Sequence, residues 1–351
     1  MGRSKSVTVK GMKGLTALWM LAVAVGFGTS LSAQEPFYKD KTVRIIVGFS
    51  AGGGFDTYAR IIGRHIPKHI PGSPTTIVEN MTGAGSLVAA NHVYKVAKSD
   101  GLAMGHFIGG FFLGQVLGQA GIEFDARRFE FVGAAVTEDV VCALTKASGI
   151  TSMEKWMASK TPVKLGGTAP GAYAPDNVIR ILRSAVGLPI QLVTGYKGTA
   201  DIRLASDSGE LAGSCWSWDS IKSTWRKALD AGNVVPVLRA VSKEFPDLPR
   251  VSTALSLAKT EEGRQLIEVG IDDGSKYARP FVLPPATPKE RVGVLRKAFQ
   301  QTLKDPAFLA EAEKAKLGLD PVSGEELEEM VSRLFKLSPG LVAKLKDILY
   351  K

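Results

Sequence analysis

Val43-Arg-Ile-Ile-Val-Gly-Phe-Ser-Ala-Gly-Gly-Gly-Phe-Asp-Thr-Tyr-Ala-Arg60 is the stretch on which the fold turns. Val43 to Val47 is an apolar, β-branched run of the kind that forms a buried strand. A loop with three consecutive glycines, Gly52, Gly53 and Gly54, follows it. A helix is then expected over 55–66, because Tyr58, Ile61, Ile62 and Ile66 recur at three- and four-residue spacing. Pro67 and Pro71-Gly72 limit that helix. A strand, a glycine loop and a helix start leave unpaired backbone N–H groups at a positive helix end, which suits an anion. One glycine satisfies a tight turn; three point to something approaching the backbone closely.

Upstream, Arg3, Lys5, Lys10 and Lys13 occur without any acid, then an apolar core over 15–27, then Thr29-Ser-Leu-Ser-Ala33. Basic, apolar and small regions in that order describe a secretory signal peptide over 1–33, cleaved near Ala33 or after Ser32. The apolar core is shorter than the roughly 20 residues that span a membrane, which disfavours an uncleaved anchor. No cysteine lies near the cut to carry a lipid. The mature chain would keep 318 of the 351 residues and a formal charge of +6, against +10 for the whole. Moderate positive charge favours an acidic ligand weakly. Nucleic acid is not an expected partner, since no basic run is interleaved with aromatics. A soluble, exported, monomeric protein is expected.

Downstream, strand-like runs alternate with helical patterns: strands over 76–78 and 103–107 around a helix over 86–97. A second group has strands over 140–144, 163–166, 190–193, 211–218 and 234–240, with helices over 152–159, 175–186 and 200–206. This alternation implies βαβ units and mainly parallel sheets in an α/β fold with a second lobe. The C-terminal part reads as helical: Thr287-Pro-Lys-Glu290 and Ser323-Gly-Glu-Glu326 have the capping-box pattern, and Asp305-Pro306 and Ser338-Pro339 are cap-plus-proline starts. Cys142 and Cys215 are the only cysteines, and the sequence leaves open whether they are joined.

Several motifs compete for the function. Gly48-Phe-Ser-Ala-Gly52 matches the G-x-S-x-G elbow of serine hydrolases, with Ser50 as nucleophile. That chemistry needs an acid and then a histidine later in the chain, yet His65, His69, His92 and His106 all lie early. The glycine triplet fits neither G-x-G-x-x-G, since Asp56 and Thr57 stand where the last glycine belongs, nor a P-loop, so no nucleotide cofactor is expected. Gly83-Ala-Gly-Ser86 opens a helix, with Ser86 as its N-cap and Gly85 and Ser86 as weaker ligand candidates. Gly166-Gly-Thr-Ala-Pro-Gly-Ala-Tyr173 again follows a strand and precedes a helix; the Thr168 hydroxyl and the N–H groups of Gly171 and Ala172 are its candidate donors. His65 and His69 are four apart, but Pro67 intervenes and no third ligand stands out, so no metal is expected. On a strand, Trp216 and Trp218 share a face, either in the core or as a cleft wall, with Asp219 turned to a polar ligand group.

Taken in order, Phe49-Ser-Ala-Gly-Gly-Gly-Phe-Asp-Thr-Tyr-Ala-Arg60, Val78-Glu-Asn-Met-Thr-Gly-Ala-Gly-Ser86, Ser99-Asp-Gly101, Thr194-Gly-Tyr-Lys-Gly-Thr-Ala200 and Leu283-Pro-Pro-Ala-Thr-Pro288 resemble the periplasmic substrate-binding receptors of tripartite tricarboxylate transporters, the Bug-type receptors. The resemblance implies a two-lobed type II periplasmic binding fold, with 34–135 and 255–351 in one lobe, 136–254 in the other, and a ligand cleft between. It implies a small carboxylate held largely by backbone groups and waters, integral membrane transporter subunits as partners, and no catalysis. By position, the resemblance carries ligand binding to Ser50, Ala51, Gly52, Gly53 and Gly54 and to Thr168, Gly171 and Ala172, with Tyr196 beside them; Asp56, Gly85, Ser86, Trp218 and Asp219 complete the ligand-binding candidates from the reading of the motifs themselves. The Trp216-Ser-Trp218 pair and the extra glycine of the first loop depart from the pattern and bear on ligand identity. A ligand sensor docking a signalling receptor would carry the same residues.

Overall fold

Val43, Ile45, Ile46 and Val47 are fully buried, and the strand they build, β1 (Thr42–Val47), lies inside a sheet with a neighbour on each side. The structure is a computed structural model that describes residues 1–6, 35–49, 51–52, 54–168, 173–196 and 198–351. The signal segment's core and the candidates Ser50, Gly53, Gly171 and Ala172 therefore lie outside the described residues. The chain divides into a unit of residues 1–36 and a unit of residues 37–351. All described helices and strands belong to the second unit, and none of these helices is long and apolar enough to cross a membrane.

The remaining strands are β2 (Thr75–Asn80), β3 (Ala103–His106), β4 (Glu130–Ala134), β5 (Val140–Thr145), β6 (Val163–Gly166), β7 (Ile190–Val193), β8 (Gly213–Ser217), β9 (Val234–Arg239), β10 (Pro280–Leu283) and β11 (Val322–Ser323). They form two sheets, ordered β11-β4-β10-β3-β1-β2 and β7-β6-β8-β5-β9, giving a two-lobed α/β architecture with helices flanking both sheets. The sheets are mixed, which corrects the expectation of mainly parallel pairing. β1 runs parallel to β2 and β3, and β6 parallel to β7 and β8. β10 is antiparallel to β3 and β4, and β5 is antiparallel to β8 and β9. Only the βαβ crossovers force parallel neighbours; β10 returns from the other sheet and enters from the opposite end.

Two passages of chain join the sheets, 135–139 after β4 and 240–279 before β10. The helix Glu261–Ile267 within the second passage packs on the helix Val178–Val186 of the second sheet, where a Cβ on Gly263 would come 2.8 Å from the Ala185 carbonyl. The first sheet is buried on both faces. Tyr58, Ile61, Ile62, Leu295 and Phe299 cover one side, and Ala90, Val93 and Phe112 lie in a cluster that runs on into the second sheet.

Cys142 and Cys215 are joined in a disulfide, across directly paired positions of β5 and β8. The capping box at Ser323 forms with Glu326, and Asp305 and Ser338 cap their helices as expected. The one at Thr287 does not: its hydroxyl donates instead to the Pro284 carbonyl at 2.8 Å, and the helix Lys289–Thr302 starts without a side-chain cap.

Candidate functional site

The glycine loop leaves β1 and enters the helix Gly54–His65. Asp56 in the first turn of that helix is only 2% exposed. Its carboxylate accepts the Gly52 amide at 2.8 Å, Arg60 Nε at 2.8 Å and Asn80 Nδ2 at 2.9 Å. Burial alone would raise its pKa; the Arg60, Gly52 and Asn80 donors outweigh that and hold the carboxyl down to about 2. Asn80 Nδ2 also donates to the Phe49 carbonyl at 2.8 Å, so both sides of the loop are tied to β2. Asp56 thus shapes the loop, and the Gly52 amide is taken.

The junction after β6 repeats the device. Asp176, fully buried just before the helix Val178–Val186, accepts the Thr168 amide at 2.6 Å and the Thr168 hydroxyl at 2.9 Å through one oxygen. The Thr168 hydroxyl, expected to serve a ligand, is therefore turned onto its own loop. In both places a carboxylate at the adjacent helix start takes the strand-exit amide, which has left the sheet's ladder, while complementing the helix dipole.

Beneath the first loop, Phe49 and Phe55 pack with ring centroids 4.4 Å apart, and Phe55 lies 4.7 Å from His106. His106 stacks on Phe281 at 4.0 Å and its Nδ1 meets the Pro280 carbonyl at 2.9 Å. Burial pushes its pKa down to about 3, so the ring is neutral at physiological pH. Ser86 corrects the expectation of an N-cap: its side chain caps nothing, its Oγ accepts the Ile108 amide at 3.0 Å, and it is 1% exposed at φ 80°. It packs so tightly under Gly48 that a Cβ there would overlap its own. Gly85 takes φ 63° with open space around it.

The wall residues divide. β8 ends at Ser217 and Trp218 opens the helix Trp218–Thr224, so Trp216 and Trp218 do not share a strand face. The Trp218 amide still donates to the Asp139 carbonyl at 2.7 Å, one step beyond the last β5–β8 pair, and the chain turns into the helix from there. Trp216 stacks on Trp225 in the core, while the Trp218 indole N–H donates to Asp247 at 3.1 Å. Tyr196 donates its hydroxyl to Glu210 at 2.5 Å, and that carboxylate pushes the phenol up to about 12. His65 and His69 each meet an acid, Glu311 at 2.7 Å and Asp305 at 3.2 Å.

Asp219 lies on a cavity of about 210 Å³ whose described lining joins the first loop to β8: Gly54, Tyr58, Val136, Thr137, Glu138, Ser217, Asp219, Ser220, Arg279, Lys316, Leu317 and Gly318. Arg279 is the residue that sequence reading missed. It precedes β10, and its Nε donates to Glu138 Oε1 at 2.5 Å. Its guanidinium lies over the rings of Phe55 and Tyr58 at 4.9 and 5.7 Å. Burial opposes its charge, and Glu138, with Tyr58 and Asp219 adding to it, keeps it firmly cationic. Nη1 points at the glycine loop, 3.0 Å from where a Gly54 Cβ would stand. A fixed cation, loop backbone and hydroxyls around a small cavity can hold a small anion. A larger groove, about 930 Å³, runs between the helices Gly54–His65 and Pro306–Lys314 and touches Ala51, Gly52 and Asp56 from outside. It is open to solvent and borders only the braced side of the loop.

No protein-family model and no curated protein sequence matches the chain. Solved structures share its fold. A TctC solute binding protein from Polaromonas, solved without ligand, aligns with TM-score 0.66 over 88% of this chain and 99% of its own, at 18% identity. MatC from Rhodopseudomonas palustris with bound malate aligns with TM-score 0.62 over 88% of this chain and 99% of its own, at 20% identity. The periplasmic binding protein BugD aligns with TM-score 0.62 over 89% of this chain and 98% of its own, at 21% identity. The architecture is that of periplasmic solute-binding proteins of the TctC and Bug type.

Proposed function

We propose that this chain is an exported, periplasmic solute receptor that holds a small carboxylate between its two lobes and delivers it to a tripartite tricarboxylate-type membrane transporter. The observation that carries the reading is the pair of strand-to-helix junctions, each braced by a buried aspartate, with Arg279 laid against the first. Bracing from within leaves the glycine backbone on the cavity side to meet a ligand, and Arg279 supplies the positive field there. The groups proposed to bind are the backbone around Ser50, Ala51, Gly53 and Gly54, that of Gly171 and Ala172, and the side chains of Arg279 and Asp219. The lobes close about the passages 135–139 and 240–279, and no covalent step is involved. The malate carried by MatC supports a carboxylate ligand on this fold.

A thermal-shift screen of the mature chain against mono-, di- and tricarboxylates tests the proposal. A ligand at 100 times its dissociation constant stabilises by about 2.7 kcal/mol. Silence from every carboxylate refutes the receptor reading. Ser50→Ala is expected to keep ligand affinity; ester turnover that this substitution abolishes would make the chain a hydrolase instead.

A further inference from the structure

Arg279 lines the cavity with an acid already attached to it, and an inference from that pair rests on the receptor reading above. Glu138 belongs to the passage 135–139 and Arg279 ends the passage 240–279, so the pair spans both crossings between the sheets. Oε1 of Glu138 takes both Nε and Nη2 of Arg279 at 2.5 Å. The two side chains are only 14% and 20% exposed. The Glu138 amide donates to the Ser275 carbonyl at 3.0 Å, and Ser275 stands four residues before Arg279. Backbone and side chain thus hold the acid on the segment that carries the cation.

Two atoms of the pair are open. Glu138 Oε2 and Arg279 Nη1 have no hydrogen-bond partner among the described residues, and Nη1 faces Gly54. The rings of Phe55 and Tyr58 hold the guanidinium in that pose. An anion that comes to Nη1 meets a cation whose charge is shared with Glu138, and it enters the field of a carboxylate anchored beside it. The other charges of the lining are nearer to water. Asp219 is 46% exposed and meets Lys222 at 3.2 Å, and Lys316 is exposed with no ion pair among the described residues.

We propose that Glu138 is an affinity-setting residue: an internal counter-anion that competes with the ligand's carboxylate for Arg279 and keeps binding weak enough for the ligand to be handed on. Removing one partner of a buried ion pair leaves the other charge uncompensated. An arriving carboxylate would then supply the missing partner, and its binding would gain by that. With Glu138 in place the compensation is already present in the empty protein, and the ligand adds only the contact at Nη1.

Calorimetric titration of the mature chain, Glu138→Gln, Arg279→Gln and the double variant tests this, with succinate, malate, adipate and citrate as probes and uncharged succinamide as control. Glutamine keeps a side-chain oxygen for Arg279 and removes the charge. Glu138→Gln is expected to melt at a lower temperature when empty. It should bind at least one of the carboxylates at least about tenfold tighter than the parent does, with no such gain for succinamide. Arg279→Gln alone should weaken carboxylate binding, and adding Glu138→Gln to it should restore no tenfold gain. If Glu138→Gln is unfolded when empty, refolding by a carboxylate and not by succinamide is the expected result, and refolding by neither overturns the inference. Glu138→Gln binding every carboxylate no tighter than the parent overturns it and leaves the receptor reading standing. Tighter binding by Arg279→Gln also overturns it, because the pair would then act on the lobes and not on the anion. Binding by no carboxylate to any of the four chains overturns the receptor reading itself.

Discussion

Asp56→Ala removes the acceptor on which the glycine loop is built, and its cost can be worked from the contacts. The carboxylate takes the Gly52 amide and Asn80 Nδ2 at 2.8 and 2.9 Å while 2% exposed. Hydrogen bonds to a charged group are worth about 1.5–3 kcal/mol each. The Arg60 side chain is 42% exposed, so that pair adds no more than about 0.5 kcal/mol. Loss of a negative charge at the helix start adds about 0.5 kcal/mol. Asn80 lies partly in water, which returns some of its bond. A net destabilisation of about 3 kcal/mol is expected, read as a shift of the urea midpoint at unchanged m-value. Asp56→Asn should fall between, because it keeps one acceptor oxygen but aims an NH2 group at donors.

The same carboxylate predicts an acid limb. Its folded pKa of about 2 lies below the unfolded value of 3.8, so its contribution is complete above about pH 4 and is lost as pH falls towards 2. The solvent-exposed Arg60 partner discounts the full linkage energy to roughly 1 kcal/mol. The alanine variant should lack this limb and bind ligand at least about tenfold more weakly, because its loop is no longer preorganised. An alanine variant within about 0.5 kcal/mol of the parent would refute the bracing argument.

Three further outcomes follow from buried groups elsewhere. His106 stays neutral in the fold with its pKa near 3, so below about pH 6.5 the unfolded chain binds a proton that the folded chain refuses. Stability should therefore fall by about 1.4 kcal/mol per pH unit as pH drops from there, and comparing urea midpoints with His106→Phe across pH 4.5–7 should show that slope vanish in the variant. The disulfide between Cys142 and Cys215 closes a separation of 73 residues, for which chain entropy sets a ceiling of about 4 kcal/mol; thiol titration of the oxidised, unfolded chain should find no free thiol, and two thiols would refute the bond. Gly48→Ala should cost about 1–3 kcal/mol by driving a methyl into Ser86, and Ser86→Gly should recover most of it in the double variant, since it clears the space and relieves φ 80°.

The strand and helix positions were legible because burial imprints a period on the sequence: Val43 to Val47 is apolar throughout, and Tyr58, Ile61 and Ile62 mark one helix face. Pairing direction was not, since it depends on where the chain re-enters a sheet, and no local pattern in 280–283 reports that. Trp218 read as strand because a run of apolar residues looks alike on either side of a helix start. The internal partners of the candidate site residues were not legible either, for a more general reason. Asp56, Ser86 and Thr168 are the polar residues that a glycine-rich turn makes conspicuous, and the fold uses all three on itself. A loop that must leave some amides open for a ligand still has to satisfy the others, and nearby oxygens are what it has for that task. The polar side chains nearest such a loop in sequence are thus the ones most strongly drawn into its own structure. The cation proposed to meet the ligand comes from far away in the chain: Arg279 reaches Gly54 across 225 residues. No local sign of that approach exists in the sequence, because Arg279 stands just outside a strand that returns from the other sheet, far from the glycine motif.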